Sequence, residues 1–299
     1  MSSDSVPDTN VYDAITEASD DARWAFGTGF SDPLAGIDTT VPDGVGGDDL
    51  AAYALMLGDD ALIMSHRLQQ WCTNAPELED EVALANIGLD LLGQARLLLA
   101  RAGAADGSGR DEDALAFHRA EHEFRNVRLA ELENGDFGEL ITRLLVFSVW
   151  RLALLARLTG SRDTVLAALA AKGVKEVTYH RDYAAQWLIR LGDGTDFSRE
   201  RAEAGLTEIW PYVAELFTPH VVEQRLAEAG AGVDPGALRE EFDQVMGEVL
   251  AAAGLDRPDV AARAGVAART GRDGVHTEAM GYLLAEMQSI ARAHPGATW

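Results

Sequence analysis

The sequence predicts an all-α protein built on a bundle of four long helices, and three observations lead to that class. Long segments repeat apolar side chains at alternating steps of three and four, the spacing that keeps one helix face turned inward. The breaks between these segments carry Gly, Pro, Asn and Asp, which stop helices and start turns. No segment alternates apolar and polar residues over enough length to build a sheet, and no fixed-period repeat occurs.

The first helix carries its apolar seam at Ala54, Leu57, Ala61, Met64, Leu68 and Trp71. Thr73-Asn74-Ala75-Pro76 breaks it, and Glu77, Glu79, Asp80 and Glu81 suit the positive end of the next helix. That second helix, Val82 to Ala100, is apolar around most of its circumference, with a narrow polar stripe at Asn86, Asp90 and Gln94. Arg101 to Gly109 reads as a loop, and Asp111 to Asn126 as a short amphipathic helix. Asn134-Gly135-Asp136 opens the third helix, Phe137 to Leu158, with Ile141, Leu145, Ser148, Leu152 and Leu155 on one face. Ser161-Arg162-Asp163 opens the fourth, which runs to about Leu191 before Gly192-Asp193-Gly194. Helices at Arg199 to Phe217, Pro235 to Ala252 and Thr277 to Ala293 complete the chain. Four long helices first, with additional C-terminal helices after them, is the ferritin-like arrangement.

Composition bounds the function. Against 25 basic residues stand 49 acidic ones, a net charge of −24, and only Lys172 and Lys175 are lysines. This balance excludes long-range attraction to nucleic acid or an anionic membrane, both of which require a basic face. Excess carboxylate with almost no lysine points to a halophilic protein, of a haloarchaeon-like high-salt organism. Cys72 is the sole cysteine, so no intrachain disulfide or thiolate cluster can form. With no basic-then-apolar leader and no apolar run of eighteen residues, the expectation is a cytoplasmic protein. Residues 1–49 contain ten aspartates and one glutamate against one arginine, and read as an acidic, mostly irregular extension. Within it Trp24-Ala25-Phe26 and Phe30 could dock. Residues 50–299 form the helical domain.

A polar stripe inside a four-helix bundle is where carboxylate-bridged di-iron proteins hold their metal, with about six ligands including Glu-x-x-His on two helices. Here the triplet on the second helix is Asp90-x-x-Gly93. On the fourth helix Glu176 and His180 are four apart on the inward face, with Tyr179 where the histidine belongs. From Leu140 to Arg162 there is no Asp, Glu, His or Cys, so the third helix supplies no ligand. The metal positions Asp90, Glu176 and His180 are therefore vestigial, and no catalytic residue is assigned. A buried carboxylate without metal needs a cation. Arg151, beside Ser148, is the candidate, pairing with Asp90 or Glu176, with Lys175 as a weaker choice. Asp59 and His66 lie opposite the first helix's seam and are expected to face solvent or another protein. Glu121, His122 and Glu123 read as a solvated cluster, and His276, Glu278 and Glu286 have no geometric argument.

Several strings carry a family resemblance: LGDDALIMSHRLQQWC, APELEDEVALANIGLDLLGQAR, DALAFHRAEHEFRN, KEVTYHRDYAAQWLIRLGDGTD, HTEAMGYLLAEMQ and the final PGATW. In this order, over roughly Leu50 to Trp299, the chain resembles the C subunits of the bacterial phenylacetyl-CoA epoxidase (ring 1,2-epoxidase, PaaC family). The resemblance implies a non-catalytic structural subunit with a ferritin-like fold and no cofactor of its own. It would pair with and stabilise a homologous catalytic A subunit that holds di-iron and inserts one oxygen atom from O2 into the ring of phenylacetyl-CoA. Electrons would come from a reductase subunit with NADPH, FAD and iron-sulfur. The resemblance also implies approach of phenylacetyl-CoA near Glu123, Phe124, Arg125 and Asn126, although Arg125 stands where relatives often differ. In LAELENGDF, Leu129 to Phe137, the proline that many relatives place before Asn-Gly is missing. The alternatives are a catalytically active di-iron monooxygenase acting on an aromatic acyl-CoA, and a ferritin-type iron store.

Overall fold

A computed structural model of the protein describes residues 36–295 and 297. It is all-α as predicted: the described residues contain helices and a single two-residue bridge, Val266 with Arg269, but no strand. The Trp24-Ala25-Phe26 and Phe30 docking expectation lies outside the described residues.

The bundle is made of α1 (Gly47–Gln69), α2 (Leu78–Ala105), α5 (Phe137–Leu158) and α6 (Thr164–Gly192). Each pair is an antiparallel hairpin, α1 with α2 and α5 with α6, and α2 packs against α6. Aspartates start the second hairpin: Asp136 caps α5 by accepting from the Glu139 amide at 3.0 Å, and Asp163 caps α6 through the Leu166 amide at 2.9 Å. The predicted loop at Arg101 is instead the last turn of α2. Arg101 lies in a fully buried ion pair with Asp163, its Nε 3.1 Å from Oδ2, and its Nη1 donates to Thr39 O at 2.6 Å. One guanidinium thus ties together the end of α2, the start of α6 and the segment leading into α1. Val41 and Val45 of that segment also pack on the core, so part of the expected irregular extension belongs to the domain.

Two predicted helices are broken in the structure. Asp111 to Asn126 divides into α3 (Glu112–Phe117), a 3-10 turn at Glu121–Glu123 and an extended run into α4 (Arg128–Glu131). Arg199 to Phe217 divides into α7 (Asp196–Ile209) and a 3-10 segment from Trp210, where Pro211 removes an amide donor. A helix that the periodicity did not reveal, α8 (Val221–Glu228), follows. Then come α9 (Arg239–Ala253), entered through a 3-10 turn at Pro235–Leu238, and α10 (Glu278–Ala293). α7 crosses α5 at glycine: a Cβ on Gly205 would sit 2.8 Å from Glu139 Cα.

The later elements cover the outer sides of α1 and α5. α9 and α7 pack on α5, and on the face opposite its predicted seam Arg143 and Trp150 are fully buried, Arg143 donating to Leu132 O and Asn134 Oδ1 and Trp150 lying against Phe147 and Arg272. α4 and α8 pack on α1. Asp59 is therefore buried, not solvent-facing. Its carboxylate takes Arg119 Nη1 at 3.0 Å, a second bond from Arg119 Nη2, and the Arg125 amide at 2.8 Å. Next to it Asp60 receives both terminal nitrogens of Arg272, at 3.0 and 2.9 Å, and the Val127 amide at 2.8 Å. His66 is half-buried near Glu286, and burial pulls its imidazole below the usual range against the pull of that carboxylate.

His276 closes the C-terminal part onto α4. Its Nδ1 is 2.7 Å from Glu131 Oε2 and its Nε2 is 3.1 Å from Phe124 O. Both partners can only accept, so both ring nitrogens carry protons. Burial opposes that charge, but Glu131 and the Phe124 carbonyl outweigh it and the imidazole is held above its usual range. Because the folded pKa is raised above the unfolded value, the pair's stabilisation is complete below about pH 6.5 and disappears as pH rises through the folded pKa. Denaturant midpoints from pH 6 to 9 should show a loss of stability that His276→Gln removes.

Candidate functional site

The bundle centre is where sequence reasoning placed a lost metal site, and its polar side chains come from α2, α5 and α6, with a backbone carbonyl from α1. Arg151 projects from α5 and is 1% exposed. The guanidinium Nε donates to Gln94 Oε1 at 2.9 Å, and the two terminal nitrogens lie 3.4 Å from Leu57 O on α1. Gln94 passes the link on: its amide donates to Glu176 Oε2 at 2.9 Å. Glu176 also meets Lys172 Nζ at 3.2 Å, one turn earlier on α6. The direct Arg151–carboxylate pair expected from sequence is thus corrected. A neutral amide stands between the two charges because Gln94, not Asp90, occupies the buried end of the α2 stripe. The lysine at Glu176 is Lys172, since the i to i−4 position reaches it and Lys175, one residue away, turns to solvent.

Asp90 and His180 form a second unit, with His180 Nε2 3.0 Å from Asp90 Oδ2. The imidazole is 1% exposed and the carboxylate side chain 38%. Burial lowers the His180 pKa more than Asp90 raises it, so the ring is neutral and carries its proton on Nε2, toward the acceptor. Further toward the start of α2, Asp80 accepts from Tyr183 OH and Trp187 Nε1, both at 2.9 Å. Asp80 had no role in the sequence reading, which assigned it only to the helix's acidic first turn. It stands fourteen residues before Gln94, close to four turns, and that spacing is the signal that could have placed it toward α6.

Burial draws the Arg151 guanidinium down to about 10, opposed by the field of Asp60 and Glu176. At neutral pH it remains a cation. A di-iron ion pair needs convergent carboxylates and imidazoles, and the residues here do not fit one. A guanidinium and an amide hold the middle of the bundle, Asp59 and Asp60 are turned toward Arg119 and Arg272, and α5 offers no acid beyond Glu139 in its first turn. Among the described residues no three His, Cys, Asp or Glu side chains converge. The buried polar side-chain atoms without partners on α5 are Arg143 Nε, Ser148 Oγ and Trp150 Nε1, none of them a metal ligand of this type.

The segment predicted to meet substrate is largely committed to the fold. Phe124 is fully buried with Arg119 stacked 4.1 Å from its ring centroid, and Asn126 is fully buried with Nδ2 2.7 Å from Glu131 Oε2. The extended backbone of 124–126 alternates its side chains, so these two point inward while Arg125 between them points out. Glu123 is exposed and caps the preceding turn through the Ala120 amide at 2.7 Å, and Arg125 is partly exposed.

Removing Arg151 alone strands a buried amide oxygen. Arg151→Met should cost about 1–3 kcal/mol, while Arg151→Met combined with Gln94→Leu should recover most of that loss, giving a clear coupling in a denaturation double-mutant cycle. Additive effects would place Arg151 and Gln94 in separate environments.

Two comparisons relate the chain to known proteins. A family profile described as "Phenylacetic acid catabolic protein" matches residues 39–299. The chain is 45% identical over 253 residues to the C subunit of the 1,2-phenylacetyl-CoA epoxidase of Escherichia coli (strain K12), an alignment covering 84% of this chain and 100% of that protein.

Proposed function

Because this chain belongs to the phenylacetic acid catabolic protein family, we propose that it is the structural, non-catalytic C-type subunit of a 1,2-phenylacetyl-CoA epoxidase used in phenylacetate degradation. The observation that carries the non-catalytic part is the bundle centre: Arg151, Gln94, Glu176 and Lys172 satisfy one another where a catalytic relative would gather carboxylates around iron. In this reading the chain pairs with and stabilises a catalytic A subunit. The di-iron belongs to that subunit, and NADPH, FAD and iron-sulfur belong to a reductase subunit of the assembly. Where the acyl-CoA passes this chain, Glu123 and Arg125 are the members of the 123–126 segment left to meet it. The acidic, lysine-poor composition suits the cytoplasm of a high-salt organism. No observation favours the alternative of a catalytically active monooxygenase in this chain.

Reconstitution tests the role. The candidate catalytic subunit and reductase, supplied with phenylacetyl-CoA, should form epoxide at least about tenfold faster with this chain than without it. Glu176→Gln/His180→Asn in this chain should leave turnover within about twofold, since no reacting atom meets those residues. A turnover collapse in that variant, with the complex still assembled, would reassign the chemistry to this chain.

A further inference from the structure

α2 is apolar on nearly every side, yet the fold uses only part of it. Thirteen of its 28 residues are buried, against 16 of 23 in α1 and 17 of 22 in α5. Among the described residues it is the one helix long and apolar enough to cross a membrane, by length and composition alone. The apolar residues left outside are regularly spaced. Leu78 is 68% exposed, Val82 54%, Leu89 57% and Leu92 36%. With Ala85 and Arg96 they fall at alternating steps of four and three, the a and d positions of an unbroken heptad pattern. Such a seam rises about 27 Å along the helix. A 3.5-residue period is the pattern by which a second helix lies alongside, not the pattern of scattered surface hydrophobes.

α2 cannot turn this seam inward. Its other side is fixed by Ser65 Oγ donating to Gly88 O at 2.6 Å, by Gln94 and Glu176, and by Asp90 and His180. Beside the seam, Gly93 has open space where a Cβ would be, so a neighbouring helix can come close.

Charge decides what covers it. The start of the seam is acidic, at Glu77, Glu79 and Glu81, and its far end is Arg96. A second copy lying parallel would set these acids against themselves. One lying antiparallel would aim them at Arg96, which already holds Glu112 at 3.1 Å. We infer that the seam Leu78–Val82–Ala85–Leu89–Leu92 is the docking site for a helix of a different subunit of the assembly, apolar at its own a and d positions and carrying Lys or Arg opposite Glu77, Glu79 and Glu81. This inference rests on the subunit reading above.

Co-expression of the full chain with a tagged candidate catalytic subunit, followed by size exclusion in high salt, tests it. Wild type should co-elute with the partner. Val82→Glu/Leu89→Glu should weaken the complex by about tenfold or more, while the isolated variant keeps the wild-type melting temperature because both side chains are already exposed. Glu79→Lys/Glu81→Lys should weaken it in the same direction. Undiminished co-elution of the Val82→Glu/Leu89→Glu variant would overturn the docking site and leave the subunit reading intact. A wild-type homodimer that this variant converts to monomer would overturn it in favour of a second copy. Failure of the wild-type chain to co-elute would overturn both the docking site and the subunit reading.

Discussion

Asp59 and Asp60, adjacent on α1, hold two stretches of chain that have no long helix of their own. A helix turns about 100° per residue, so neighbouring carboxylates leave it in different directions. Asp59 takes Arg119 and the Arg125 amide, and Asp60 takes Arg272 and the Val127 amide. Between them they fasten residues 119–127 and the turn at 271–273 against the same helix. Burial works against the Arg272 charge, but Asp60 and Glu223 more than compensate and raise its pKa. Stranding one member of such a pair costs about 3–5 kcal/mol, so the covering layer and α1 hold one another in place.

That use of the α1 carboxylates also determines what the bundle centre can do. In a di-iron bundle the first helix turns an acid inward, toward metal. Here the acids of α1 are spent on arginines from the covering segments, and α5 contributes a cation to the middle. The polar residues that remain inside, Gln94, Glu176, Asp90 and His180, are satisfied in short chains of hydrogen bonds. Closed polar networks of this kind give a bundle a fixed register, and leave no free carboxylate pair for oxygen chemistry.

The four bundle helices were legible from sequence because each buries an apolar face with a 3.6-residue period and is bounded by a capping aspartate, a glycine or a proline. That the body of α5 supplies no metal ligand was legible because it lacks every ligand type from Leu140 to its end. Contacts between distant segments were not. Nothing local distinguishes Asp59 from a solvent-facing residue, since the seam opposite it is apolar and its partner Arg119 lies 60 positions away. His276 and Glu131 are 145 residues apart, and neither belongs to a motif. The outward stripe of α2 was not legible for a related reason. An all-round apolar helix reads as buried on several sides, and only the placement of α1 and α6 shows that its a and d stripe faces outward.

At the heart of this account, the bundle interior holds charge with arginine and amide in place of metal. Iron per chain, determined by elemental analysis on the isolated protein purified in high salt, tests it most directly. The expected result is iron near zero for the chain alone, with iron appearing only in preparations that contain the catalytic partner. Two irons per isolated chain would contradict it, and would mean that Arg151 and Gln94 move aside for ligands that this arrangement commits elsewhere.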